Sequence, residues 1–323
     1  RGTWRAAIHA DPKGPALAEL AFLVEDFLPE RLTFELDSSS PTIDPADPPS
    51  IRLDAQFLYG APAGGLALEG EIQLQPTDTL TAFPGYRFGL ASEELEPLGA
   101  PLSGGRTDAA GHAEVPLDLP EIPPTTKLLE ADIQVRVLEE GGRPVERRLK
   151  RPVASKQTRI GLKPLFDGSV EEGGNARFEA IAIDADGRRQ SLAGVRWTLA
   201  RLKTSFQWYA SDGNWNYEPI TTTERVADGT LDLDALDAGR IEAAVDWGRY
   251  RLTLATSDSA VRPVDLEFEA GWYVQPKTQD TPDLLKVSLD KPSYRVGEKA
   301  RVRLEPRFAG LALLMVVDDR LIS

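Results

Sequence analysis

Between Leu66 and Gln75 the chain alternates without a fault. Leu66, Leu68, Gly70, Ile72 and Leu74 fall on one side, and Ala67, Glu69, Glu71, Gln73 and Gln75 on the other. Successive side chains of an extended backbone point to opposite faces, so such a stretch buries one face and wets the other. A helix cannot sustain a period of two. The same period returns along the chain. Leu32, Phe34 and Leu36 alternate, as do Ile51, Leu53, Ala55 and Phe57. Ala131, Ile133, Val135 and Val137 are interleaved with Asp132, Gln134 and Arg136, and Val264, Leu266, Phe268 and Ala270 with Asp265, Glu267 and Glu269. No segment carries a sustained helical period, which makes the expected fold all-β.

Turn residues punctuate these runs. Asp11-Pro12-Lys13-Gly14 turns the strand that starts at Trp4 into a return strand over Leu20 to Val24. Asp167-Gly168, Asp186-Gly187, Asp212-Gly213 and Asp228-Gly229 each read as a hairpin turn, because both residue types tolerate positive φ. Val245, Trp247, Tyr250, Leu252 and Leu254 read as one strand kinked at Gly248. Short strands with turn signals roughly every ten residues predict antiparallel β-sandwiches of immunoglobulin or fibronectin type, arranged in a row.

Breaks in the pattern set the expected domains. Residues 1–27 are the end of one sandwich, 28–155 a second, and 156–277 a third. Residues 278–323 read as three strands opening a fourth. Val287 and Leu289 form the first of these, Ala300, Val302 and Leu304 the second, and Leu311 to Val317 an apolar third. The chain begins at Arg1 and its one methionine is Met315, so it is expected to be an internal piece of something longer.

Composition narrows the function. Lys and Arg number 37 against 51 Asp and Glu, a net charge of −14, and a surface this acidic repels nucleic-acid backbones. Cysteine is absent, which removes disulfides, thiolate metal sites and thiol nucleophiles together. The two histidines, His9 and His112, lie far apart in sequence. Gly60 to Gly65 lacks the Lys-Ser/Thr of a phosphate loop, and there is no Gly-x-Ser-x-Gly elbow. Asp184-Ala-Asp186-Gly187 resembles the start of a calcium loop, but Arg188-Arg189-Gln190-Ser191 follows, so it reads as a turn. Asp44 and Asp47 sit in a Pro-rich loop with no partner acid close in sequence. No apolar run approaches the roughly 18 residues of a membrane-spanning helix. No catalytic, cofactor-binding or metal-ligating residue is assigned, no cofactor is implied, and the chain is not read as an enzyme.

The sharpest local feature is aromatic. Phe206, Trp208, Tyr209, Trp215 and Tyr217 cluster around Asp212-Gly213. One reading is a long hairpin whose rings pack on the sheet or on a neighbouring module. Another is contact with a partner. A third is a carbohydrate-binding sandwich in which Trp208, Tyr209 and Trp215 stack sugars, since large rings offer about 150–250 Å² each with a polar handle.

A series of motifs resembles the bacterial alpha-2-macroglobulin-like proteins: Val24-Glu-Asp-Phe-Leu-Pro-Glu-Arg31, Phe57-Leu-Tyr-Gly-Ala-Pro-Ala-Gly64, Phe83-Pro-Gly-Tyr-Arg-Phe-Gly89 and Gly142-Arg-Pro-Val145. Val245-Asp-Trp-Gly-Arg-Tyr-Arg-Leu252, Ala270-Gly-Trp272 and Leu289-Asp-Lys-Pro-Ser-Tyr-Arg-Val-Gly297 continue it in the family's order. The resemblance implies the tail of the fourth macroglobulin domain, the fifth, the sixth, and the start of the domain carrying the bait region. It implies a scaffold within a broad-spectrum protease trap that defends the periplasm. The expected partners are client proteases, other domains of the parent chain and other periplasmic or inner-membrane proteins. The expected parent is a lipoprotein on the inner membrane. The family's thioester needs a Cys-Leu-Glu-Gln motif that this cysteine-free stretch cannot hold, and the motifs look closer to the subclass without one. Without the resemblance, the same modules read as a tandem immunoglobulin-like adhesin or stalk.

Overall fold

The structure, a computed structural model, describes residues 2–11, 14–24, 30–139, 142–211, 214–271, 286–291 and 293–305, with 311, 313 and 315. Among them there is no helix, and the architecture is a series of mainly antiparallel sheets, with Val261–Arg262 parallel to Thr158–Pro164. The chain divides into two compact units. The first comprises Arg1–Gln75, Pro97–Ile122 and Leu129–Val153, and the second Pro76–Glu96, Pro123–Leu128 and Ala154–Ser323.

The first unit opens with a hairpin, Gly2–His9 against Ala16–Val24, a two-stranded sheet whose Trp4, Ile8, Leu17, Leu20 and Leu23 are exposed. A three-stranded sheet follows, made of Leu32–Ser38, Ile51–Phe57 and His112–Val115. The larger sheet runs Val145–Pro152, Leu128–Leu138, Ala67–Thr77 and Leu98–Pro101, with Gly105–Arg106 also on Ala67–Thr77. Alternation does what it predicts: Leu68, Ile72 and Leu74 are buried, while Glu69, Glu71 and Gln73 are wet. Leu32, Phe34, Ile51, Leu53 and Ala55 supply the buried face of the smaller sheet.

The strand Val145–Pro152 forms an edge of the larger sheet and carries Arg147, Arg148, Lys150 and Arg151. Lys150 pairs with Glu130 at 3.1 Å, Arg147 with Glu30 at 3.0 Å and Arg151 with Asp37 at 3.3 Å. A charged edge of this kind discourages a further strand from adding to it.

The second unit is a sandwich. One sheet orders Arg189–Gln190, Gly174–Ile183, Thr158–Pro164 and Val261–Arg262; Gly239–Val245 also pairs with Gly174–Ile183, and Arg87–Phe88 with Thr158–Pro164. The facing sheet orders Asn214–Leu233, Leu192–Ser211, Gly248–Ala255 and Val264–Ala270. Their shared core includes Ile160, Leu162, Phe178, Val195, Leu199, Tyr250, Leu252, Leu254 and Phe268. Phe166, Phe178, Tyr250 and Phe268 pack ring against ring, with centroids 5.2–5.5 Å apart. A last hairpin pairs Lys286–Leu289 with Val302–Glu305, on the strands expected there. The expected third run over Leu311–Val317 falls mostly outside the described residues.

Two turn expectations are corrected. Asp228-Gly229 is not a hairpin turn but lies inside the strand Asn214–Leu233, where Gly229 opposes Trp197. A β-carbon on Gly229 would come within 2.8 Å of that indole, so the glycine is there for a ring. Val245 to Leu254 is not one kinked strand either. Gly239–Val245 belongs to one sheet and Gly248–Ala255 to the other, so the chain changes sheets at Asp246 and Trp247. Asp167-Gly168 and Asp186-Gly187 do turn the chain, with φ of +71° and +72° at the glycines. Asp212-Gly213 lies outside the described residues.

Candidate functional site

The residues that carry the most chemistry sit at seams of the second unit. The first seam is built by the segments 76–96 and 123–128. Arg87–Phe88 adds a short strand to the sheet, with Phe88 opposite Gly161 and Arg87 opposite Leu162. Phe88 is fully buried with Leu128, Ile181 and Ile183, and Leu80, Phe83 and Tyr86 pack around them. The strand Gly174–Ile183 is therefore covered on both faces. Ala176, Phe178, Ala180 and Ala182 face the main core, and Ile181 and Ile183 face this smaller one.

Polar contacts fix the rim of that seam. The Tyr86 hydroxyl donates to Glu179 at 3.3 Å, and the Lys163 ammonium lies 5.6 Å over the Tyr86 ring. Burial, then the Glu179 charge, pushes the Tyr86 phenol above its usual range. The Arg159 guanidinium is buried and donates to the Thr126 carbonyl at 2.5 Å and to Ser155 Oγ at 3.1 Å. Burial, with Arg262 nearby, lowers its pKa to about 10, so it stays charged at neutral pH. Glu93 accepts from both the Thr125 and Thr126 hydroxyls and from the Thr126 amide at 3.0 Å. Burial pushes the Glu93 carboxyl up, but these hydrogen bonds and the Lys127 charge outweigh it and hold the group low.

The same segment closes a sheet edge. The Asp265 amide donates to the Gly89 carbonyl at 3.3 Å, and the Asp265 carboxylate accepts from the Ala91 amide at 2.5 Å. Further along that edge strand, the Val170 amide donates to Glu269 at 3.0 Å. Loops thus cap the outer edge of Val264–Ala270 near both ends, which leaves little of it to template another strand.

The second seam is the corner where the chain changes sheets. Trp247 is half-buried there. Gly271, at φ +108°, lies so close that a β-carbon on it would come within 2.2 Å of Trp247 Cδ1. Arg201 donates to the Trp247 carbonyl, and the Tyr250 hydroxyl donates to the Asp246 carbonyl at 2.9 Å. The guanidinium groups of Arg201 and Arg303 lie 6.0 and 4.4 Å over the Trp247 ring.

The aromatic cluster singled out in the sequence lies on the long hairpin. Leu192–Ser211 and Asn214–Leu233 pair all the way to Ser211 opposite Asn214, while Gly248–Ala255 supports only Arg196–Leu202. The backbone register sets Trp208 opposite Tyr217, Ala210 opposite Trp215 and Phe206 opposite Pro219, whereas Tyr209 opposes Asn216. The side chains of Phe206, Trp208, Tyr209, Trp215 and Tyr217 lie outside the described residues.

In the first unit, a hollow of about 720 Å³ is lined by Glu35, Asp37, Asp54, Asp108 and Glu114 with His112, whose Nδ1 is 3.4 Å from Asp54. His112 and Asp54 are largely exposed, as on a solvated strand face. At Asp184 the carboxylate accepts from the Asp186 and Arg188 amides at 3.0 and 2.8 Å, which is the geometry of a turn.

Serial β-sandwiches of this kind define the class of macroglobulin-like β-domains. Residues 30–155 match the bacterial alpha-2-macroglobulin MG5 domain and residues 161–272 match bacterial macroglobulin domain 6, together well over half of the chain. The chain belongs to the bacterial alpha-2-macroglobulin family. It is similar to the alpha-2-macroglobulin of Xylella fastidiosa, 34% identical over 99% of this chain and 20% of that protein. It is also similar to the one of Escherichia coli, 30% identical over 91% of this chain and 19% of that protein. Among solved structures, Salmonella alpha-2-macroglobulin reacted with methylamine matches at TM-score 0.65 and 28% identity, over 94% of this chain and 20% of that one. The native conformation of the Escherichia coli protein matches at TM-score 0.63 and 28% identity, over 91% of this chain and 20% of that one. The form activated by porcine elastase matches at 0.61 and 29% identity, over 90% of this chain and 25% of that one. The chain spans about a fifth of the length of the curated relatives it matches.

Proposed function

We propose that this chain is the structural segment of a broad-spectrum protease inhibitor that traps proteases after bait cleavage, with residues 278–323 as the root of the bait-bearing domain. The observation that carries this is the pair of successive family domains over residues 30–155 and 161–272, within relatives named as alpha-2-macroglobulins. The TM-scores against the native, the elastase-activated and the trypsin-activated Escherichia coli protein are 0.63, 0.61 and 0.56. A segment whose fold is matched in all three suits a frame that keeps its fold while other parts move. Client proteases are the partners, and the periplasm, with an inner-membrane lipoprotein as parent, is the setting.

The test uses the parent protein. It is mixed with elastase at equal amounts and run by size exclusion, and activity is read on a small peptide and on a large protein substrate. A trap co-elutes with the protease, leaves peptide cleavage intact and suppresses cleavage of the large substrate. Free elution of active protease, with large-substrate cleavage untouched, would rule the proposal out. Secretion into the periplasm is read separately, by osmotic-shock fractionation of cells that express the parent.

A further inference from the structure

Arg303 lies on the strand Val302–Glu305, beyond the residues matched to domain 6. Two of its contacts lie within them, on Trp247 and Glu172. Its guanidinium carbon is 4.4 Å from the centroid of Trp247, and its Nη1 is 2.8 Å from Glu172 Oε2.

The receiving side is held by contacts that do not involve Arg303. Trp247 is seated on Gly271, where no β-carbon would fit, and its carbonyl is held by Arg201. Glu172 sits in the turn between Val170 and Gly174. The Val170 amide donates to Glu269, the Gly271 amide donates to Val170 at 2.7 Å, and the Gly173 amide donates to Val245 at 3.0 Å. An aromatic face and a carboxylate are thus held side by side on the frame of the second sandwich. A planar cation answers both at once: its face stacks on the ring while its edge donates to the carboxylate. A lysine ammonium answers only the second. The side chains of Arg303 and Glu172 are about a third exposed, so the ion pair by itself is weak, and the stacking supplies the fit.

We propose that Trp247 and Glu172 form the socket, and Arg303 the plug, of a latch that seats the hairpin 286–305 on the second sandwich. Its consequence for a protease trap rests on the scaffold reading above: the latch sets where the following domain starts. The latch itself stands on the geometry alone.

Hydrogen exchange of the 323-residue chain, read by mass spectrometry, tests it. Replacing Arg303→Ala is expected to speed exchange of the amides in Lys286–Leu289 and Val302–Glu305 about tenfold, with Thr158–Pro164 and Gly174–Ile183 unchanged. Trp247→Phe, a change outside the hairpin, gives the same pattern at smaller size, because phenylalanine binds a cation more weakly. Arg303→Lys recovers only part of the protection. Unchanged hairpin exchange in Arg303→Ala, or an equal rise across the sandwich strands in both variants, overturns the latch. The measurement involves no protease, so its failure leaves the trapping proposal standing, and failure of trapping leaves the latch standing.

Discussion

The Phe88 ring fills the space that a β-carbon on Gly161 would need. That carbon would lie 2.7 Å from Phe88 Cε1 and 3.1 Å from Ile181 Cγ1, both in the small core. The two residues pair across the short strand that the segment 76–96 adds to the second sandwich. Gly161→Ala therefore overpacks a filled site and is expected to cost about 1–3 kcal/mol, read as a lower urea midpoint with unchanged slope. The double variant with Phe88→Leu recovers part of the loss, because the clash is between these two side chains. Additive losses would show that the glycine is kept for another reason.

Phe88→Ala empties the small core and exposes Ile181 and Ile183 to a void. A buried Phe→Ala change costs about 3–5 kcal/mol. The loss is expected in the second unit although residue 88 lies inside the span matched to MG5. Exchange or proteolysis resolved by segment checks this: Thr158–Pro164 and Gly174–Ile183 lose protection while Leu32–Ser38 and Ile51–Phe57 keep theirs.

Gly271→Ala meets two obstacles. At φ +108° an L-residue is strained, and its methyl would press on Trp247 Cδ1. We expect a loss of about 2 kcal/mol or more, with a change in the near-ultraviolet signal of the tryptophans. A variant with native midpoint and native spectrum would contradict the close seat of the ring.

Acid is expected to loosen the seam at Glu93. Its folded-state pKa lies below the unfolded value of roughly 4, so the carboxylate contributes stability above that pH and loses it as pH falls through the folded pKa. Glu93→Gln should flatten the fall in stability of the second unit below about pH 4. An identical pH profile for the variant would remove Glu93 from the account.

The strands were legible in the sequence because a half-wet strand writes its burial as a period of two. The run over Leu66 to Gln75 emerges as written, while in Val264 to Ala270 the strand is as expected but Asp265, on the face expected to be wet, is buried under the segment 76–96. The change of sheet at Trp247 was not read, because the slip of the apolar positions from Val245 and Trp247 to Tyr250, Leu252 and Leu254 looks the same for a kink at Gly248 as for a change of partner strand. Nor was the role of Phe83 to Phe88. Those residues carry no period, and Pro84-Gly85 reads as punctuation, yet the ring at position 88 is buried completely. The signal available was the glycine at 161, a residue that weakens a strand unless something must approach it closely. Asp228-Gly229 misled for the same reason: a glycine that makes room for Trp197 looks like one that turns the chain. The aromatic hairpin was legible as a hairpin, and its register now sets Trp208 across from Tyr217.

The segment 76–96 lies in sequence among the strands of one domain and contributes its aromatic core to another. Recombination that copied residues 161–272 as a cassette would leave Ile181 and Ile183 without their cover. A copy that spans residues 30–272 keeps that cover. Sandwiches that look interchangeable in sequence are therefore not interchangeable in packing, because one is completed by an arm written inside the other's span.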